Sequence, residues 1–263
     1  MGDNKEMSVI LSEYFSTVFT DENLDRLPIP SERGKEGKKV CIDWIEVTEE
    51  KVELAIKSLK GNKAAGVDGI ESNFVTRSMD GIVGPLRKIY SKSMMEVHVP
   101  REWKEANVAA VFKQGSRKDP SNYRPVSLTS QVGKVLEKVI KKELVDYLEG
   151  NGLICETQHG FRKGRSCLTN LLDFFEAVAE EVDRGDPVDV LYLDFRKAFD
   201  RVPHERLLLK LKAIGVEGRL LGWIRDWLKG RGQRVVLGGE CSEWTEVTSG
   251  VPQGDRCWDR YYL

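Results

Sequence analysis

Apolar residues recur along the chain at two spacings, and these divide it into elements. Within residues 1–20, Ile10, Leu11, Tyr14, Phe15, Val18 and Phe19 fall on one helical face. The polar, turn-rich stretch from Asp21 to Lys39 reads as a linker. Thr48 is placed to cap a helix whose Val52, Ala55, Ile56 and Leu59 follow the i, i+3, i+4, i+7 rule, with Gly61 ending it. The Gly-rich loop GNKAAGVDGI follows. Helical periodicity returns over 82–97, over 132–149 (Val132, Val135, Leu136, Val139, Ile140, Leu144, Leu148) and over 166–183 (Leu168, Leu171, Leu172, Phe175, Val178, Val182).

Two segments carry strand patterns. Ala106–Lys113 (ANVAAVFK) is short, apolar and closed by a cation. Val188–Phe195 (VDVLYLDF) is a nearly continuous run of Val, Leu and Tyr, which predicts a strand covered on both faces. Beyond it the pattern gives a helix begun by Pro203 and stopped by Gly215, another around Leu220–Leu228, and a hairpin through QRVVLGGECSEWTEVT. Helices mixed with a few strands predict an α+β fold, helix-rich with a small antiparallel sheet.

Composition narrows the class. The 263 residues are 40% hydrophobic and 32% charged, a globular composition. No apolar run approaches the roughly 20 residues that span a bilayer, and the N-terminus lacks a signal peptide's basic-then-apolar plan. The expectation is a soluble intracellular protein, nuclear or cytoplasmic, with no membrane partner. Five scattered cysteines (Cys41, Cys155, Cys167, Cys241, Cys257) form no C-x-x-C pair and read as reduced thiols. The net charge of −1 taken alone argues against nucleic acid. Its distribution reopens the question: residues 101–170 hold 13 basic and 8 acidic side chains, and residues 171–200 hold 3 and 9. Either these runs are solvated faces, or a cationic surface for phosphates adjoins a carboxylate cluster for a divalent metal.

The candidate chemistry starts at Asp194, at the C-terminal end of the apolar run, where α/β sites are usually built. A carboxylate there binds a metal, or else pairs with Arg196 or Lys197 or caps the next turn. Asp200 reads as a cap for the following helix. KQGSRKDPSNYRP carries Lys113, Arg117, Lys118 and Arg124 through a turn, which is either a solvated hairpin tip or a triphosphate grip. QHGFRKGRS (158–166) sets His159, Phe161, Arg162, Lys163 and Arg165 before a helix, a surface loop or a nucleic-acid contact. SGVPQG (249–254) surrounds Gln253. His98, His159 and His204 are too scattered to form a metal or triad set.

Six strings, in order, resemble the reverse transcriptase domain of non-LTR (LINE-type, jockey-like) retrotransposons. They are LKGNKAAGVDGI (59–70), VPREWKEANVAAVFKQGSRKDPSNYRPVSLTS (99–130), VGKVLEKVI (132–140), QHGFRKGRSCLTNLL (158–172), VDVLYLDFRKAFDRVPHERLL (188–208) and SGVPQG (249–254). The resemblance implies a right-hand polymerase, with fingers over 44–185 and a partial palm over 186–254. Residues 1–43 would be the preceding helix and linker, and 255–263 a divergent tail. It implies two-metal nucleotidyl transfer on an RNA template and DNA primer with dNTP as substrate. Asp194 would be the catalytic carboxylate, ligating Mg²⁺ with the backbone carbonyl of Phe195. Lys113 and Arg124 would hold the triphosphate, Phe199 would lie under the sugar, and Gln253 and Gly254 would face the incoming nucleotide. Arg162, Lys163 and Arg165 would contact nucleic acid.

The family's Asp-Asp box and thumb are not found after Gly254, where the chain reads DRCWDRYYL. With one carboxylate for two metal ions, the expectation is a fragment inactive alone. The competing readings are a non-catalytic nucleic-acid-binding remnant and a pseudogene fragment without selected function.

Overall fold

The computed structural model describes residues 3–28, 40–61, 63–160, 162–195 and 197–253. In chain order the elements are α1 (Asn4–Ser16), α2 (Glu49–Lys57), α3 (Ser72–Arg77), α4 (Met79–Glu96), the single turn α5 (Arg101–Lys104), β1 (Glu105–Phe112), β2 (Tyr123–Thr129), α6 (Gln131–Gly150), α7 (Cys167–Asp183), α8 (His204–Ala213), α9 (Gly218–Leu228), β3 (Arg231–Leu237), β4 (Glu240–Cys241) and β5 (Thr245–Val247).

The helix starts follow local chemistry. Thr48 accepts the Lys51 N–H at the head of α2, and Ser130 accepts that of Gly133 at the head of α6. A reciprocal capping box of Ser166 and Thr169 opens α7. Helices α2, α4, α6, α8 and α9 turn their apolar faces into one core, where Tyr90, Met94, Leu136, Ile140, Leu208, Leu220, Trp223 and Trp227 are buried. Polar tips in that core find partners: Trp223 Nε1 donates to Ser93 Oγ and Trp227 Nε1 to Glu137 Oε1, each at 3.0 Å, and the Tyr90 hydroxyl donates to the Val132 carbonyl at 2.7 Å. The Gly-rich loop packs on the end of β2 so closely that a Cβ at Gly66 would stand 2.6 Å from the Thr129 carbonyl.

Five described strands make one sheet in the order β2-β1-β3-β4, with β5 on β3. It is mixed, where an antiparallel sheet was expected. β1 pairs β2 antiparallel but β3 in parallel, from Glu105↔Gly232 to Ala109↔Val236. Four helices lie between β2 and β3, and a crossover of that length can return the chain parallel where a hairpin cannot. β2 itself lacked a strand expectation because Pro125 interrupts it; as an edge strand it tolerates the missing donor. Helix α1 lies on one face of the sheet, with Leu11 and Phe15 packed on Val108 and Val235.

The expected buried strand at 188–195 does not form. The segment has no regular secondary structure and is in no ladder, and Leu191, Leu193 and Phe195 are 81%, 85% and 79% exposed. A strand of that composition needs neighbours for its backbone groups and cover on both faces, and none of the described strands pairs with it. Its ring contact is Tyr192 against Phe174 of α7, centroids 6.1 Å apart. Helix α7 formed as expected, yet none of its side chains is buried, and Leu168, Leu171, Leu172 and Phe175 are exposed. Among the described residues, α7 and this segment together leave apolar side chains uncovered.

Candidate functional site

The turn after 195 and the 249–253 loop are laced together through backbone groups. Val251 donates its N–H to the Phe199 carbonyl at 2.9 Å, and Gly250 donates to Val202 at 2.8 Å. Ser249 Oγ donates to the Asp200 carbonyl at 2.7 Å. On the other side the Ser127 N–H, from β2, donates to the Gln253 carbonyl at 2.8 Å. His204 Nε2 lies 2.8 Å from the Gly250 carbonyl, so that nitrogen carries the proton. Phe199, Gln253 and β2, drawn from three separate strings of the sequence, therefore form one ledge. Behind it is a cavity of about 30 Å³, a water's volume, walled by Phe15, Phe19, Asp200, Arg231 and Gln253.

Lys113 and Arg124 lie at the tip of the β1–β2 hairpin. Arg124 is opposite Val111 in register, and the Lys113 N–H donates to the Asn122 carbonyl at 2.8 Å. Both side chains are exposed or nearly so. The connecting loop is ordered: the Arg117 guanidinium sits 4.6 Å over the Phe112 ring, and the Tyr123 hydroxyl donates to the Arg117 carbonyl at 2.9 Å. Two cations are thus presented on a built hairpin, Arg124 three residues from the Ser127–Gln253 bond.

Two titratable groups in the ledge are displaced from their ordinary behaviour. Burial raises the Asp200 carboxyl above its usual range, with Lys197 partly opposing. Burial lowers His204, with the Gly250 hydrogen bond opposing and Arg231 adding to the effect. The Asp200 side chain is not the cap of α8. Glu22 takes that place, accepting the Glu205 and Arg206 N–H groups at 2.9 Å each. A carboxylate on two backbone donors at a helix start outcompetes a desolvated one.

Asp194 and Phe195 are solvent-exposed, and Asp194 carries no hydrogen bond or ion pair to another described residue. Lys197, one of its possible partners, donates instead to the Tyr14 hydroxyl at 2.8 Å. Arg162 and Arg165 turn inward. Arg162 donates to the Cys155 carbonyl at 3.1 Å, and Arg165 reaches Glu156 at 3.5 Å and Asp173 at 3.6 Å. His159 is buried between Asp173 and Thr169, a structural bridge from the loop to α7. Lys163 is exposed. Gly254, Phe161, Arg196 and the 255–263 tail lie outside the described residues. Tyr14, Ser249 and His204 escaped the sequence reading as supports of the ledge. Ser249, inside SGVPQG, and His204, inside the 188–208 string, stood in strings that could have flagged them.

The profile described as reverse transcriptase (RNA-dependent DNA polymerase) matches residues 113–257, more than half of the chain. The chain belongs to the reverse transcriptase family. Its curated relatives place it with the non-LTR retrotransposon kind. It is 28% identical over 243 residues to the probable RNA-directed DNA polymerase from transposon BS of Drosophila melanogaster, covering 92% of this chain and 26% of that protein. It is 30% identical over 194 residues to the probable polymerase from transposon X-element of the same fly, covering 73% and 21%. With the polymerase from mobile element jockey of that fly, identity is 29% over 209 residues, covering 79% and 23%. The chain spans about a quarter of the length of these relatives.

Reverse transcriptases use divalent metal ions. Among the described residues no three His, Cys, Asp or Glu side chains gather where one cation could be held. Hard cations such as Mg²⁺ need several oxygen ligands, so Asp194 with the Phe195 carbonyl does not complete such a site. Among the described residues no helix is long and apolar enough to cross a membrane.

Proposed function

We propose that this chain is the nucleotide-facing part of an RNA-directed DNA polymerase that works inside the cell, in the nucleus or cytoplasm. Residues 44–185 serve as fingers and 186–254 as part of a palm, with 1–43 leading in and 255–263 as a tail. The chain's own residues bind and orient. Lys113 and Arg124 neutralise the triphosphate of a dNTP, Arg124 as a fork and Lys113 as a point charge. Phe199 supports the sugar, Gln253 and Gly254 flank the base, and Asp194 with the Phe195 carbonyl contributes ligands toward Mg²⁺. Arg162, Lys163 and Arg165 border the path of the RNA template and DNA primer, with Lys163 the exposed member.

What supports this reading is the pair of backbone bonds, Val251 to Phe199 and Ser127 to Gln253, that joins the strand following the hairpin cations, the aromatic's turn and the amide's loop. The donor set found here predicts binding without turnover. Purified chain should bind a primed RNA–DNA hybrid with an affinity that falls steeply with salt, since phosphate contacts release counterions. It should add no nucleotide in dNTP and Mg²⁺. Absence of binding at low salt would sink the reading. Extension that vanishes in Asp194→Ala would show that this chain's own carboxylates suffice.

A further inference from the structure

The N-terminal segment, outside the stretch that the family profile matches, is attached to the ledge at three successive points. At the first, the Lys197 ammonium donates to the Tyr14 hydroxyl at 2.8 Å and lies 4.2 Å over the same ring. Lys197 holds a left-handed backbone, φ +55°, a conformation that a side-chain-bearing residue keeps only when its surroundings fix it. Phe199 is two residues further on. At the second, the Thr20 N–H donates to Ser249 Oγ at 2.8 Å, and that hydroxyl donates to the Asp200 carbonyl at 2.7 Å. One side chain thus ties the N-terminal segment, the 197–203 turn and the 249–253 loop. At the third, Glu22 takes the N–H groups of Glu205 and Arg206, the second and third residues of α8, and pairs with Arg206 at 3.8 Å.

The anchor for this strap is the sheet. Leu11 and Phe15 are buried on Val108 and Val235, the Lys5 ammonium donates to the Cys241 carbonyl at 2.6 Å, and Ser12 and Thr245 share a hydroxyl bond at 3.3 Å. Phe15 and Phe19 also form part of the cavity wall that faces Asp200 and Gln253.

We infer that residues 14–22 are positioning residues of the nucleotide pocket, Tyr14 acting through Lys197 on Phe199, and Thr20 and Glu22 acting through Ser249 and α8 on the Gln253 loop. The segment is a strap from the sheet to the site, not a connector. That the pocket takes a nucleotide rests on the polymerase reading; the strap itself does not.

Hydrogen exchange on the whole chain tests the strap directly. Tyr14→Ala removes both the hydroxyl acceptor and the ring. It should speed exchange of the Gly250 and Val251 amides by about tenfold, the scale of one charge-assisted hydrogen bond, and leave β1 and α9 protected. Tyr14→Phe keeps the ring under the ammonium and should restore part of that protection. Glu22→Gln should loosen the Glu205 and Arg206 amides selectively. Unchanged loop amides, or a uniform rise across β1 and α9 as well, would overturn the strap. Binding of a fluorescent deoxynucleoside triphosphate is the second readout, expected to weaken several-fold in Tyr14→Ala. If the unaltered chain binds no nucleotide while the loop amides respond, the strap stands and the polymerase reading fails. If nucleotide binds equally to both proteins and the amides do not respond, the strap fails alone.

Discussion

Gly250 and Phe199 approach so closely that a Cβ on the glycine would stand 2.4 Å from the Phe199 carbonyl oxygen. The same glycine has φ +81°, which L side chains rarely adopt. Gly250→Ala therefore meets two penalties, backbone strain and a clash with main chain that cannot swing aside. The expected loss is about 2 kcal/mol or more. Gly239, with φ +88° and nothing within 4 Å, is the control for strain without contact. Gly239→Ala should lose only about 1 kcal/mol. Urea denaturation of the two variants checks the order; equal losses would mean that the close approach contributes nothing.

Apolar residues in this chain do not contribute alike. Trp227 is 1% exposed, donates to Glu137 and has the Arg231 guanidinium 4.6 Å over its ring. Trp227→Ala should lower stability by about 3–5 kcal/mol, the range for a buried aromatic that leaves a cavity. Leu191, 81% exposed in the unpaired 188–195 segment, should tolerate Ala within about 0.5 kcal/mol. Chemical denaturation of both variants decides; a large loss at Leu191 would mean that the segment is covered in solution.

The helices were legible in the sequence because each is a local problem. The 3.6 spacing of Val135, Leu136, Val139, Ile140 and Leu144 gave α6, and Thr48 marked a true start. The long-range relations were not legible. That β1 pairs with β3 in parallel depends on how four helices fold between them, which no window of sequence contains. Val188–Phe195 carried the signature of a buried strand, but a strand is a property of its neighbours as well as of its own side chains. In the site, Arg124, Phe199 and Gln253 stood in recognisable strings. The supports Tyr14, Thr20 and Glu22 lie some 180–230 positions away from their partners, and nothing periodic announces them.

His204 gives the ledge a pH dependence whose sign can be worked out. Burial holds its folded value below the ordinary 6.5, so its contribution to stability is present above that value and is lost as pH falls through the lowered one. Asp200 runs oppositely. Its value is raised from 3.8, so its favourable contribution is present at low pH and is lost as pH rises through the raised one. Going down from neutral, His204 acts first. Between about pH 7.5 and 5.5 the melting temperature of the unaltered chain should fall more than that of His204→Gln, whose unfolded chain lacks the imidazole that takes up a proton there. Parallel curves for the two proteins would show that His204 titrates alike in the folded and unfolded chain, and that burial does not hold it down.

The segment around Tyr192 should be where a protease enters first. Cleavage requires about ten residues of chain to adapt to an enzyme's cleft, so it follows local opening and missing backbone pairing as well as sequence. Residues 187–195 have no ladder partner among the described residues, and Tyr192 and Phe195 are 80% and 79% exposed. Tyr90, Trp223 and Trp227 are buried in helices of the main core, and the exposed Phe74 and Phe175 lie within helices whose backbone groups are paired. Brief chymotrypsin treatment should therefore yield two fragments divided at Tyr192–Phe195, before any cut in α4 or α9. The nick should leave both halves associated, because the ledge, the strap and α8 hold residues 197–253 to the rest without the segment. Fragments that co-elute on gel filtration and separate only in denaturant would bear this out. A first cut in α4 or α9 would show instead that the exposed run is covered, and that the uncovered face along α7 does not exist in solution.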